Sequence, residues 1–268
     1  MKVSEPTIKI AVATHKPYRM PVGSIYLPLH VGAALHADVC AEMQGDDTGD
    51  NISDKNPYYC ELTGLYWLWK NCDADFKGLV HYRRLLGSPN PVRIRNKDPF
   101  ERLVTEDELR ALLDNVDIVV AKRRNYYIET VYDHYAHTFE GRHFDACREV
   151  LTDVSPKYVA AWDNLMRSRG AHIFNMFVMR ADLLDDYCSF VFEVLSELEK
   201  RIDPTQYDPF GARYLGRVSE RLLDPWLETN RYRYEELPVV NSEPVDWLAK
   251  GRGFLAAKFL GRKYEKSF

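Results

Sequence analysis

The chain has 268 residues, 46% hydrophobic and 28% charged, with 36 Lys and Arg against 40 Asp and Glu for a net charge of −4. That is the composition of a soluble globular chain long enough to bury a sizeable core. It argues against a general nucleic-acid binder, which carries a basic surplus, so no nucleic-acid partner is expected. The five cysteines (Cys40, Cys60, Cys72, Cys147 and Cys188) contain no CxxC pair and are odd in number. A disulfide framework or a zinc site is therefore not expected, and a reducing cytoplasm is favoured. The opening MKVSEPTIKIAVATHK has no apolar signal-peptide segment, and no window approaches eighteen apolar residues, so neither a leader nor a membrane span is expected.

The first predicted element is a strand over 7–15, TIKIAVATH, alternating and β-branched, which ends at Thr14, His15 and Lys16. A polar loop, QGDDTGDNISDKN, covers 44–56. Helical spacing of Leu62, Leu65, Tyr66 and Trp69 predicts one helix over 59–71. A strand over 76–82 follows directly. Thr105 and Glu108 form a capping-box pattern, which predicts a helix over 105–115. VDIVVAK (116–122) reads as an interior strand of a mostly parallel sheet. Short helices are predicted over 129–137, 143–152 and 157–169, a strand over 172–180, and a long amphipathic helix over 181–202. A helix over 216–228 should break near Pro225, and 232–240 reads as a last strand. Strands and helices alternate over the first two hundred residues, which predicts α/β layers around a largely parallel sheet.

In such sheets, ligands bind outside the carboxyl ends of the strands. Thr14-His15-Lys16 and His81-Tyr82-Arg83-Arg84 stand at two such ends. If the two strands are neighbours, five potential cations face one crevice, and paired Arg side chains match phosphate oxygens. The alternative is that Arg83 and Arg84 only pair with surface carboxylates. Asp50, Asn51, Ser53 and Asn56 in the polar loop suit turns and caps, or recognition of base, ribose and sugar hydroxyls. Glu61, Thr63 and Tyr66 open the following helix, whose dipole would favour an anion. His134 and His137 share a helical spacing, but no carboxylate or third His stands at a matching interval, so no metal is assigned to them.

GDNISDKNPYYCELTGLYWLWKN followed by GLVHYRR, after an N-terminal ATHK, resembles a bacterial family of capsular and exopolysaccharide biosynthesis glycosyltransferases. FNMFVMRADLLDDYCSFVFEVL and GRVSERLL are further matching pieces, and the resemblance runs to about residue 240. It implies a GT-A-like, Rossmann-type mostly parallel sheet flanked by helices, with a helical C-terminal appendage. It also implies a nucleotide diphosphate sugar as donor, with UDP-galactofuranose or another UDP-hexose as candidates, and a glycan acceptor, lipid-linked. Thr14, His15, Lys16, Asp50, Asn51, Ser53, Asn56, Glu61, Thr63, Tyr66, His81, Tyr82, Arg83 and Arg84 become the donor-binding candidates. His134, Tyr135, Asn175 and Arg221 become the acceptor-binding ones. A carboxylate must take the acceptor's proton in an inverting transfer, and Glu220, Asp133 and Asp208 are the candidates. Where GT-A enzymes place an Asp-x-Asp pair that holds a metal, this chain has His81-Tyr82-Arg83. Arg would hold the phosphates directly, so turnover independent of metal is expected; Asp46, Asp47 and Asp50 are the places where Mn²⁺ or Mg²⁺ would otherwise bind. Two other readings are a sugar nucleotidyltransferase and a non-catalytic glycan- or nucleotide-binding partner of an assembly complex.

The expected organisation is a transferase domain over 1–242 and a basic amphipathic tail over 243–268. From Asp246 on, the tail carries Lys250, Arg252, Lys258, Arg262, Lys263 and Lys266 against Asp246 and Glu265. It reads as an anchor for an anionic membrane surface, which would place the protein at the inner face of the plasma membrane, or else as a helix docked on the domain.

Overall fold

A computed structural model of the chain describes residues 5–243. Its strands are β1 (Ile8–Thr14), β2 (Tyr26–His30), β3 (Gln44–Gly45), β4 (Phe76–His81), β5 (Arg84–Leu86), β6 (Ile118–Ala121), β7 (Arg124–Asn125), β8 (Gly170–Ala171), β9 (Phe177–Arg180), β10 (Glu235–Leu237) and β11 (Val239–Asn241). Its α-helices are α1 (Asn56–Tyr59), α2 (Leu62–Asn71), α3 (Pro91–Ile94), α4 (Glu106–Leu113), α5 (Val131–Thr138), α6 (Arg142–Val154), α7 (Val159–Arg167), α8 (Ala181–Arg201), α9 (Tyr214–Ser219) and α10 (Leu223–Asn230). The central sheet runs in the order β10-β6-β9-β4-β1-β2-β3, with β5 branching from β4 and β11 paired to β5. β1, β2, β3 and β4 pair parallel, as do β6 and β10, while β9 is antiparallel to both its neighbours. The architecture is the GT-A-like, mostly parallel α/β sheet flanked by helices.

Period-two alternation along the strands splits the core in two. On β1, Ala11 and Ala13 face one cluster with α2, α6, α7 and α8; Ile8, Ile10 and Val12 face the other, under α4. β6 divides the same way, with Ile118 and Val120 against Val119 and Ala121. Residues buried on both faces explain why VDIVVAK reads as a continuous apolar run. Each fully buried Leu, Val or Phe contributes about 1.5–3 kcal/mol. Gly64 lets α2 lie close on β2, since a Cβ there would meet Val31 Cγ1 at 2.8 Å and Leu29 Cδ2 at 3.0 Å. The capping box on α4 is formed by both of its hydrogen bonds.

The structure corrects several sequence-based elements. The single helix over 59–71 is divided at Cys60, whose φ of 54° turns the chain before α2 begins. The strand over 172–180 shortens to β9 and runs antiparallel. The helix over 216–228 breaks at 220–222, ahead of Pro225. That proline lies in the first turn of α10, where a missing N–H costs nothing. The strand over 232–240 is two, β10 in the central sheet and β11 on β5, with Pro238 between them. Apart from its first residue, the expected tail lies outside the described residues.

Candidate active site

β1 and β4 are adjacent and parallel, with Ala13 opposite His81. Their carboxyl ends therefore do open on one crevice. At the end of β1, Thr14 Oγ1 donates to the Lys16 carbonyl at 2.6 Å and turns the chain outward. This leaves His15 and Lys16 exposed at the rim. At the end of β4, Tyr82 and Arg83 form a two-residue turn between paired His81 and Arg84. Ser242 braces that turn, donating from N to the Arg83 carbonyl at 3.1 Å and from Oγ to the Tyr82 carbonyl at 3.0 Å. The buried strand ends on His-Tyr-Arg-Arg because these residues form a hairpin tip at the carboxyl end of β4, beside the end of β1.

Tyr82 is buried and acts as the floor. His15 meets its ring edge-on at 5.4 Å, Tyr18 at 5.0 Å, and the Lys16 ammonium lies 5.3 Å from its centroid. The Arg83 backbone N–H donates to His81 Nδ1 at 3.3 Å, which leaves the proton of the neutral imidazole on Nε2. Burial, then Arg83 and Arg84, hold His81 well below the ordinary imidazole range, and burial with Arg83 and Lys16 lowers His15 as well. Arg83 Nε is buried with no partner. Arg84 stacks over the Phe174 ring at 4.5 Å.

Two carboxylates close the opposite wall. Glu61 follows the Cys60 turn and sits at the amino end of α2; Asn175 Nδ2 donates to its Oε1 at 2.9 Å. Asn175 in turn accepts from Ser219 Oγ at 3.2 Å. Glu220, on the turn after α9, pairs with Arg221, whose Nη2 donates to Tyr126 OH at 3.3 Å. Burial, then the charge of Glu220, pushes the Glu61 carboxyl up. Glu220 and Glu61 also act on Arg84, against burial and Arg83, which lower it. The backbone is strained on both sides of this wall, at Cys60 (φ 54°), Phe174 (φ 83°) and Asn175 (φ 51°). Non-glycine residues in this region cost about 1–3 kcal/mol each and cluster at functional sites.

The structure thus brings together His15, Lys16, Glu61, His81, Tyr82, Arg83, Arg84, Asn175, Glu220 and Arg221. Other candidates lie elsewhere or serve the fold. Asp50 exchanges backbone and side-chain hydrogen bonds with Asn71, at the far end of α2, and accepts from Tyr66 OH at 3.2 Å. Ten helical residues put this pair about 14 Å from the crevice end of α2. Asn51 folds onto the Asp47 and Gly49 carbonyls, and Ser53 is buried between Asp46 and the Ala34 N–H. Asn56 and Thr63 bond to each other and to the Cys60 carbonyl, so they hold the turn that aims Glu61. Asp133 accepts from Thr130 at the start of α5, and Asp208 caps the Phe210 and Gly211 N–H groups at 2.8 and 2.7 Å. Both are exposed and engaged in local turns. Tyr135 is in the core, stacked on Phe144 at 3.9 Å with its hydroxyl 3.0 Å from His143 Nδ1. His134 and His137 both face buried Glu129 at 3.1 Å, and His134 stacks on Tyr126 at 4.1 Å, one step behind Arg221.

Sequence reasoning missed Arg213, which acts on His15 and His81 and donates to Cys60 Sγ at 3.1 Å, and His30, whose Nε2 is buried without a partner at the end of β2. A signal for the first was available: Arg213, Arg217 and Arg221 recur every four residues, one face of a helix. Divalent-metal ligands are a poor fit here. The β4 end presents cations, and the Asp46 carboxylate is consumed by the Gly32 and Ala33 N–H groups and Ser53. Among the described residues no three His, Cys, Asp or Glu side chains converge as metal ligands.

The apo structure of WbbM, a bifunctional glycosyltransferase, superposes on 89% of this chain with a TM-score of 0.78 and 30% sequence identity. The chain spans 46%, about half, of that longer protein. No functionally curated protein matches. The family described as Domain of unknown function (DUF4422) matches residues 9–231, and the chain belongs to that family.

Proposed function

We propose that this chain is a glycosyltransferase domain that moves a sugar from a nucleotide diphosphate donor to a glycan acceptor in bacterial surface-polysaccharide assembly. The observation that carries the reading is the crevice at the ends of β1 and β4. Cationic groups cover one wall, with Arg83 Nε buried and without a partner among them, and two carboxylates stand on the other. The similarity to WbbM and the resemblance of the 49–84 segment to polysaccharide transferases point the same way. UDP-galactofuranose or another UDP-hexose is the donor proposed on that resemblance, and a lipid-linked glycan the acceptor.

The chemistry follows from the two walls. Arg83 and Arg84, with Lys16 and Arg213 at the rim, hold the diphosphate. The bond from the anomeric carbon to the β-phosphate oxygen breaks, and negative charge builds on that oxygen, where fixed guanidinium groups stabilise it. Arg221 pairs with Glu220 and holds it in place. Glu220 takes the proton of the acceptor hydroxyl as its oxygen bonds to the anomeric carbon. Glu61, pushed toward its protonated form beside Glu220, donates toward the sugar; two close carboxyl groups share the charge in this way. Because Arg groups occupy the place of the metal-binding carboxylates, turnover independent of Mn²⁺ and Mg²⁺ belongs to the same proposal. The test is release of UDP from UDP-hexoses by purified protein, in EDTA, with and without a glycan acceptor. Release that depends on acceptor and survives chelation is expected. Binding without turnover for every UDP-sugar, or pyrophosphate chemistry on a sugar phosphate, would replace the reading.

A further inference from the structure

Beyond the crevice, the loop between β7 and α5 has a construction the reaction does not need. Tyr127 and Ile128 are 78% and 67% exposed, among the most exposed large apolar side chains of the described residues. They are displayed by a tight turn: the Ile128 N–H donates to the Tyr126 carbonyl at 2.7 Å, with Tyr127 at φ 60°. The loop is pinned on both sides. β7 pairs with β8, the Tyr126 N–H donates to the Arg169 carbonyl at 2.8 Å, and the Val131 N–H donates to the Ser168 carbonyl at 2.8 Å. Strain and exposure together are costly, so the protein holds this tip outward against its own folding preferences.

Exposed cations flank the tip, and the Glu129 that follows it is buried against His134 and His137. Lys122, Arg124, Arg167 and Arg169 are all exposed, and among the described residues none makes an ion pair. The segment Arg124–Ile128 contains no carboxylate. An aromatic and a branched aliphatic side chain ringed by unpaired cations complement an anionic bilayer: the ring and the aliphatic group enter the interface while the cations meet headgroup phosphates. The position also fits. Tyr126, one residue from the tip, accepts from Arg221, which pairs with Glu220 in the crevice.

We propose that the Arg124–Ile128 tip is a membrane-contacting element that seats the crevice against an anionic lipid surface. The contact is proposed for residues 124–128 and not for the basic C-terminal segment. Its readout is membrane contact, so it stands or falls independently of the transferase reading.

The test uses the full chain with Ile128→Cys carrying an environment-sensitive fluorophore, and the unsubstituted protein treated identically as background. Vesicles of phosphatidylcholine with phosphatidylglycerol at low salt should shift the label's emission to the blue. Pure phosphatidylcholine should not, and salt should reverse the shift. Combining Tyr127→Asp with Ile128→Asp should lower vesicle partitioning by about tenfold while leaving the thermal midpoint unchanged. Three results would overturn the proposal: sedimentation with vesicles while the label at 128 stays unshifted, an equal shift with neutral vesicles, or a shift produced without vesicles by a soluble glycan or by raising the protein concentration.

Discussion

The crevice at the ends of β1 and β4 and the polar loop over 44–56 are both rich in charged and hydrogen-bonding side chains, and they are opposite in character. In the loop the polar groups answer one another. Asp46 receives two backbone N–H groups and the Ser53 hydroxyl; Asp50 and Asn71 bond reciprocally; Asn51 closes on its own turn. In the crevice like charges are crowded together: Arg83 Nε has no partner and His81 is held neutral among cations. Polar groups that satisfy each other build a fold. Polar groups left in excess of one sign are arranged for something that arrives from outside.

This contrast can be broken by substitution. Glu220→Gln removes the proposed proton acceptor with little change of shape, and it should lower kcat by about 10²–10³-fold with the fold intact. Asp46→Ala should do the reverse. It leaves two buried N–H groups and a hydroxyl without their acceptor, a loss of about 3 kcal/mol that lowers the thermal midpoint by roughly 6–12 °C while turnover at low temperature persists. Arg83→Ala should lower kcat/KM at least about tenfold, equivalent to about 1.4 kcal/mol, and raise the thermal midpoint or leave it unchanged, because it relieves crowding. A variant at Arg83 that unfolds the protein instead would place this residue with the structural group.

The histidines sharpen the comparison through pH. His81 and His15 are pushed below the usual 6.5. The unfolded chain therefore takes up protons first, and the stability tied to these two is complete above about pH 6.5 and lost as pH falls. His172 is opposite. Burial disfavours its charge, but Asp224 at 2.5 Å and Glu236 at 2.9 Å outweigh that and raise it. Its contribution is complete below 6.5 and lost as pH rises through the raised value. Thermal midpoints against pH should flatten on the acid side for His81→Gln and on the alkaline side for His172→Gln, each by a few degrees. An anion in the crevice raises His81 and His15, so UDP binding should take up protons and tighten as pH falls. Calorimetry in two buffers of different ionisation enthalpy reads that uptake directly.

Much of the fold was legible because it rests on local patterns. The alternation of β1, the continuous apolar run of β6 and the Thr105–Glu108 cap each have their cause within a few residues. β2 was not read because Pro28 interrupts it. β3 pairs only at Leu29 and His30, so that flank of β2 has no neighbour beside Pro28, where a proline is tolerated. The HYRR end of the site was legible because strand ends are where such sheets bind. The carboxylate wall was harder: Glu61, Asn175 and Glu220 were each noticed, but their meeting depends on Cys60 and Asn175 adopting left-handed backbone conformations 115 positions apart, which no spacing rule encodes. Asp50 and Tyr66 read as site residues by chemistry alone; Asp50 is bound to Asn71 at the other end of α2, and Tyr66, midway along the helix, donates to Asp50.

The account rests on the crevice being the diphosphate site, and UDP affinity measured by calorimetry at constant salt tests it most directly. The set is the unsubstituted protein, Arg83→Ala, Arg84→Ala, and Asp50→Ala as the polar-loop control. We expect each arginine variant to bind UDP at least about tenfold more weakly, a difference near 1.4 kcal/mol, and Asp50→Ala to bind as the unsubstituted protein does. Unchanged affinity in both arginine variants with a loss at Asp50 would move the site to the polar loop and contradict the assignment.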